Sequence, residues 1–327
     1  MKKFNEIFID KTKYGEKIQT SEYEKQGKHI IVDQGQAEIA GYTNREEGLF
    51  NEVPVIIFGD HTRLIKYIDE PFFLGADGVK VLRSKEKNAN YKYLYYALKS
   101  AKIPNTGYNR HFKWLKDVEI NYPDSVKQEK IVDILDRVSD VIEKRKAELS
   151  YLDILIKARF VEMFGDPIIN SKGLETKELN EVLVLKAGDF TAASDISVEP
   201  TEINIYPCYG GNGIRGYVAE YNQEGEYSLV GRQGALSGNV QYATGKFKNT
   251  EHALLVKPII RMNSIWLNQL LLNLDLKRYQ TGAAQPGLSV KNLQDIQIIM
   301  VPIDEQRQFA AFVNEIDKSK LQKFSAA

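Results

Sequence analysis

Between Ser125 and Phe164 the chain carries neither Gly nor Pro, and Leu135, Val138, Ile142, Leu149, Leu152 and Ile156 recur at alternating three- and four-residue spacing, with Arg145 at the one polar position. This pattern predicts one long amphipathic helix, ended by Gly165 and Pro167. Such a helix of roughly 40 residues would be about 60 Å long. On both sides of it the pattern is shorter. Apolar runs such as VPVIIFGD (Val53 to Asp60) and YSLVGRQG (Tyr227 to Gly234) are broken by turn residues and predict strands. NYKYLYYALKSAK (from Asn90) and NSIWLNQLLLNLD (from Asn263) predict helices, each with an Asn cap. A last helical pattern starts at IDEQRQFAAFVNEIDKSK, with Phe309, Phe312, Val313 and Ile316 on its apolar side. With the sequence ending at Ala327, it is expected to reach only about half the length of the first.

The pattern occurs twice. Residues 105–120, NTGYNRHFKWLKDVEI, align without gaps on residues 283–298, AAQPGLSVKNLQDIQI, matching Lys113 with Lys291, Leu115 with Leu293, Asp117 with Asp295 and Ile120 with Ile298. The same offset pairs Gln128 with Gln306 and Ile131 with Phe309. The two strand-forming regions and the two Asn-capped helices precede these segments in the same order, so the chain reads as an α+β protein of two similar units, each followed by a helix.

Composition narrows the chemistry mainly by exclusion. Lys and Arg together number 44, as do Asp and Glu, so no global basic excess announces a polyanionic partner. Cys208 is alone, and His29, His61, His111 and His252 are scattered, so no disulfide or metal-ligand spacing is visible and a reducing, cytoplasmic setting is expected. No apolar run approaches the length that spans a bilayer. The stretch YGGNGIRGY contains Gly211, Gly213 and Gly216 at dinucleotide-binding spacing. Yet Pro207 interrupts the approach, no helical pattern opens after Gly216, and the ribose-binding acid is missing from Gly231, Arg232 and Gln233. Its closest counterpart is Ile39-Ala40-Gly41-Tyr42 in the first unit, which points to a turn, with or without a ligand against it. A phosphate loop and paired prolines of the adenine-methyltransferase type are also missing.

Taken together, VDQGQAEIAGYT, VPVIIFGDHTRLIKY, FLGADGVKVL and YNRHFKWLKDVEINYP in the first half, ARFVEMFGDP between, and YGGNGIRGY, SLVGRQGALSGNV, GAAQPGLSVKNLQDIQI and VPIDEQRQFAAFV in the second resemble the DNA-specificity subunit of type I restriction-modification systems over essentially the whole chain. The resemblance implies target-recognition domains at residues 1–123 and 166–302, a long spacer helix at 124–165 and a second, truncated one at 303–327, the helices pairing antiparallel as a coiled coil. It further implies that each domain reads one half of a split DNA site, with the helix bounding the span at roughly 17 base pairs. Methyl transfer and cleavage would lie in separate modification and restriction subunits, which would hold S-adenosylmethionine, ATP and Mg, and this chain would hold no cofactor. Two other readings stay open from the residues alone: a nucleotide- or S-adenosylmethionine-dependent transferase using Gly211 to Gly216, and a coiled-coil scaffold for other proteins.

Readout of base edges needs Arg, Asn, Gln and Lys on loops, with further contacts to phosphates. Candidates in the first unit are Tyr42, Asn44 and Arg45; His61, Thr62 and Arg63; and Tyr108, Asn109, Arg110 and His111. In the second they are Asn212, Arg215 and Tyr217; Arg232 and Gln233; and Gln285 and Ser289. A solvated or turn-stabilising role competes with base contact at each of them. Because the second helix is short, Leu149, Leu152 and Ile156 are expected to lack a partner within the chain, which predicts self-association through the helices or cover by modification subunits.

Overall fold

The computed structural model describes the backbone of residues 1–75, 77–282 and 286–325, with side chains through Leu321. Two compact units divide it, Met1–Lys144 and Arg145–Ala327. The first runs β1 (Lys2–Lys3), α1 (Phe4–Ile7), β2 (Phe8–Asp10), β3 (His29–Val32), β4 (Gly41–Thr43), β5 (Val55–Gly59), β6 (Ile65–Ile68), β7 (Phe72–Leu74), β8 (Val79–Ser84), α2 (Tyr91–Lys99), α3 (Phe112–Leu115), β9 (Glu119–Ile120) and the start of α4 (Ser125–Phe164). After the rest of α4 the second unit runs β10 (Thr176–Glu178), α5 (Leu179–Val182), β11 (Leu183–Ala187), β12 (Tyr206–Gly210), β13 (Gly213–Val218), β14 (Gln223–Gly231), β15 (Val240–Asn249), β16 (Ala253–Pro258), α6 (Ser264–Asn273), α7 (Val290–Leu293), β17 (Gln297–Ile299) and α8 (Ile303–Ser325).

The repeat extends to strand pairing. An antiparallel sheet ordered β2-β8-β5-β6 in the first unit has its counterpart in β11-β16-β14-β15 of the second. β3 pairs antiparallel with β4 and parallel with β7, and β12 likewise pairs with β13 and with the end of β15. Thus β15 does as one strand what β6 and β7 do as two. β5 is buried along its whole length because both faces are covered. Ile56 and Phe58 pack under Leu94 and Leu98 of α2, while Val55 and Ile57 pack with Phe72 and Leu74. That double cover explains why its sequence is a continuous apolar run rather than an alternation.

Matched residues do matched work. The Asn90 side chain accepts from the Tyr93 N–H at the start of α2, and Asn263 accepts from Ile265 and Trp266 at the start of α6. Leu115 and Leu293 are fully buried. Gln128 donates its amide to the Pro123 carbonyl at 2.9 Å, and Gln306 donates to Val301 at 2.7 Å, so each ties its helix to the chain entering it.

α8 runs antiparallel to the second half of α4. Phe309 lies 5.4 and 5.7 Å from the rings of Phe160 and Phe164, and Lys320 Nζ lies 2.8 Å from Asp153 Oδ1. This corrects one expectation. Ile156 does not lack a partner: it is 4% exposed, in one cluster with Phe309 and Val313, and Phe312 and Ile316 pack against that cluster. Leu149 and Leu152 are half-buried. An antiparallel helix covers the end of α4 that lies beside its own start, and the more exposed positions are Val138 and Ile142, with Leu135 half-buried.

Candidate nucleic-acid interface

In the first unit the ends of β3 and β5, the turn before β8 and the loop before α3 meet. Gln34 joins three of them: its Oε1 accepts from the His61 N–H at 3.0 Å, its Nε2 donates to the Asp77 carbonyl at 3.0 Å, and its own carbonyl accepts from Thr62 Oγ1 at 2.7 Å. The glycine at 78 is required here, since it sits at φ +95° and a Cβ on it would fall 2.4 Å from Gln34 Nε2. The His61 ring stacks flat on Tyr108, with centroids 4.6 Å apart at 10°, and Tyr108 is 88% exposed. Arg63 takes a left-handed φ of 63° and reaches the Ile103 carbonyl at 3.4 Å. Asn109 folds back onto Thr106, and Arg110 is exposed. A hydrogen bond from Lys17 holds the exposed Asp77 carboxyl below the usual carboxylate range, with a smaller contribution from Arg110.

The second unit assembles the corresponding strand ends. Gly210 pairs with Gly213, so Gly211-Asn212 is the tip of the β12–β13 hairpin, and Gly213 closes it at φ +99°. Asn212 Oδ1 accepts from Asn239 Nδ2 at 2.6 Å. After β14, the Arg232 N–H donates to the His252 carbonyl at 3.0 Å and Arg232 Nη1 donates to the Glu251 carbonyl at 3.2 Å. Gln233 Oε1 lies 3.0 Å from His252 Nδ1. The loop before α7 returns onto this place through Leu288 N–H to the Arg232 carbonyl, 2.7 Å, as the loop before α3 returns through His111 N–H to the Asp60 carbonyl, also 2.7 Å. Among the described residues six side-chain atoms are buried without a hydrogen-bond partner: His61 Nδ1, Arg232 Nε, Ser237 Oγ and Glu251 Oε2 in or beside these two clusters, and Asn249 Oδ1 and Trp266 Nε1 in addition. Buried polar atoms are normally paired, so the four in these clusters are free to take a further partner.

Several candidates fall elsewhere. Tyr42, on β4, is half-buried and its backbone bridges Glu24; Asn44 donates to Glu24 Oε2; and Arg45 lies between Glu16 at 3.1 Å and Glu22 at 2.5 Å. These three lock strand β4 to the preceding segment. Tyr217 does the same through Ser197, and the Arg215 side chain lies against Gly210 in the hairpin stem. His111 departs from the expectation of an exposed loop residue: it is fully buried, its backbone N–H and ring Nδ1 both directed at the Asp60 carbonyl, so it holds the loop. Ser289 caps α7 by accepting from the Asn292 N–H. Gln285 lies outside the described residues. The sequence reading missed Gln34, Asp77, Asn239 and His252. For Gln34 the available signal was a long polar side chain at a strand end just before Gly35.

The glycine-spacing motif is thus a hairpin. Its third glycine, Gly216, lies within β13 rather than opening a helix. It sits at φ +150°, and a Cβ there would fall 2.3 Å from the Ser197 carbonyl. Gly41 has the same reason in the first unit, where a Cβ would fall 2.8 Å from that of Tyr23. No group of three His, Cys, Asp or Glu side chains among the described residues is placed to hold a metal, and no described helix is long and apolar enough to cross a membrane.

Against known families, the type I restriction modification DNA specificity domain matches residues 1–151 and again 171–324. The specificity subunit of the type I restriction enzyme EcoprrI from Escherichia coli is 38% identical over 194 residues, covering 58% of this chain and 48% of the relative. A putative specificity subunit from Haemophilus influenzae is 29% identical over 157 residues, covering 47% and 40%. The aligned part therefore spans less than half the length of either relative. The crystal structure of a type I restriction-modification S subunit from M. genitalium superposes with a TM-score of 0.58 at 20% identity, covering 99% of this chain and 91% of that one, a likeness of fold.

Proposed function

Because the chain belongs to the type I restriction-modification DNA specificity family, we propose that it reads DNA sequence, each unit taking one half of a bipartite site through its strand-end cluster. One observation carries this reading: the two units build the same convergence of loops but furnish it with different side chains. Gln34, His61, Thr62, Tyr108 and Arg110 stand in the first, and Asn212, Arg232, Gln233, Asn239 and His252 in the second. Amide, imidazole and guanidinium groups are the ones that discriminate base edges, and two sets on one scaffold suit two unrelated half-sites. α4 and α8 serve as spacer and as docking ground for modification subunits. Methyl transfer and cleavage, with their S-adenosylmethionine, ATP and Mg, belong to modification and restriction subunits in the cytoplasm, and this chain supplies no catalytic residue.

With zero formal net charge the chain lacks the electrostatic grip of a free-standing DNA binder. Its specific binding is therefore expected to need the modification subunits, to fall steeply with salt, and to require both half-sites in one duplex. Electrophoretic shift titrations with and without those subunits test this. Tight binding of S-adenosylmethionine or a dinucleotide by the chain alone, with no DNA discrimination in the complex, would replace this reading by the transferase one.

A further inference from the structure

Gln34 and Gln233 bring a long amide to each cluster, and the two are held differently. Gln34 is fixed at both ends by backbone groups, its Oε1 accepting from the His61 N–H and its Nε2 donating to the Asp77 carbonyl. Gln233 is exposed, its backbone bridged antiparallel to Gly287 of the returning loop, and its Oε1 lies 3.0 Å from His252 Nδ1. On the other side of that ring, Nε2 lies 3.0 Å from Glu251 Oε1. Both ring nitrogens thus face oxygen. A carboxylate and an amide oxygen only accept, so this arrangement places a hydrogen on each nitrogen and sets the imidazolium against the Glu251 carboxylate. Neighbouring charges leave that pair intact. Arg232 meets the turn through backbone, its N–H donating to the His252 carbonyl and its Nη1 to the Glu251 carbonyl. Asp189, whose carbonyl accepts from the Glu251 N–H, turns its carboxylate to Lys248 at 3.6 Å.

We propose that His252, backed by Glu251, is a positioning residue for base readout: it holds the Gln233 oxygen inward so that the amide NH2 faces DNA and selects a keto base. The inference rests on the DNA reading and gives it a polarity. In the major groove guanine and thymine offer acceptors at O6, N7 and O4, whereas cytosine and adenine present amino groups at N4 and N6. Rotating the amide by half a turn would present its oxygen and select the amino bases instead. The group at position 252 therefore decides which class of base Gln233 takes. Substitution His252→Asp offers only acceptors there and draws the NH2 inward.

In the test, the complex of the full chain with its modification subunits is bound to a labelled duplex carrying the bipartite site mapped from methylated adenines. Competitor duplexes replace each base pair in turn by the other three, and fluorescence anisotropy gives the ratios of affinity. At one base pair of one half-site, the native complex is expected to favour guanine or thymine over cytosine and adenine on one strand by about tenfold. Gln233→Ala and His252→Ala should each flatten that ratio, and His252→Asp should reverse it. With Gln233→Ala already present, His252→Asp should change no base preference further, which separates positioning from a general structural loss. Unchanged discrimination in the other half-site checks that each variant folds and assembles. If Gln233→Ala alters no base preference, or if His252→Asp leaves the preference unreversed in a complex that still reads the other half-site, the proposal is overturned and the DNA reading stands. Where His252→Asp fails to assemble, a native ratio kept by His252→Ala overturns it equally. A native complex that discriminates at no base pair would remove both.

Discussion

Gly216 shows at the residue scale how one position was both legible and misleading. Its spacing to Gly211 and Gly213 imitates a nucleotide cradle, while its likeness to Gly41 is the informative signal, because in both units a neighbouring segment crosses directly over the glycine. Replacing Gly216 by Ala meets two penalties, a φ of +150° and a Cβ placed 2.3 Å from the Ser197 carbonyl. A loss of about 2 to 3 kcal/mol is expected in denaturant unfolding, on the scale of stored backbone strain plus displacement of the crossing segment. Stability unchanged in Gly216→Ala would mean that the crossing is not tight. His111 shows why other residues could not be assigned from the chain alone. It follows Asn109 and Arg110 in a hydrophilic stretch, and its burial is decided by Asp60, a partner far away in sequence. Arg45 has the same history: a cation suited to phosphate, already held by Glu16 and Glu22.

Among elements, helices were the legible part. The long periodic run is α4, and the two Asn caps stand where α2 and α6 begin. Strand partners were not legible, since the parallel pairing of β3 with β7 and of β12 with β15 joins segments distant in sequence, which local patterning does not encode. One contact shows how such elements are held together. Tyr242 on β15 donates its hydroxyl to Glu226 on β14 at 2.9 Å and lies 2.8 Å from Ser264 Oγ at the start of α6. Burial, with the hydrogen bond to Glu226 adding to it, pushes its pKa up to about 12. An unfolded tyrosine ionises near 10. The folded state thus holds this proton more tightly, so the contribution to stability is complete below about pH 10 and is lost as pH rises from there through about 12. Tyr122, half-buried and bonded to Glu86, is also pushed up to about 12 and adds in the same window. Unfolding free energies measured from pH 9 to 12 should fall, and fall less in Tyr242→Phe; an identical pH slope in that variant would contradict the assignment.

For the whole molecule, the repeat is what the sequence made plainest, and it is also what the proposed function is built on. Elements from β1 to α4 recur from β10 to α8, and the strand-end clusters recur with them. Which side chains converge was only partly visible. His61 and Thr62, Tyr108 and Arg110, Asn212, and Arg232 and Gln233 do come to the two clusters, whereas Gln34 and His252 emerge only when the strand ends are brought together. The central claim is that each cluster reads its own half-site. The most direct measurement is a genome-wide map of methylated adenines in cells carrying the modification partner with the native chain, with Asn212→Ala/Gln233→Ala, or with His61→Ala/Tyr108→Ala. The map should show the second-unit variant relaxing or changing one half of the bipartite site and the first-unit variant the other, with spacing preserved in both. Equal change in both halves from either variant, or an altered spacing, would contradict the account.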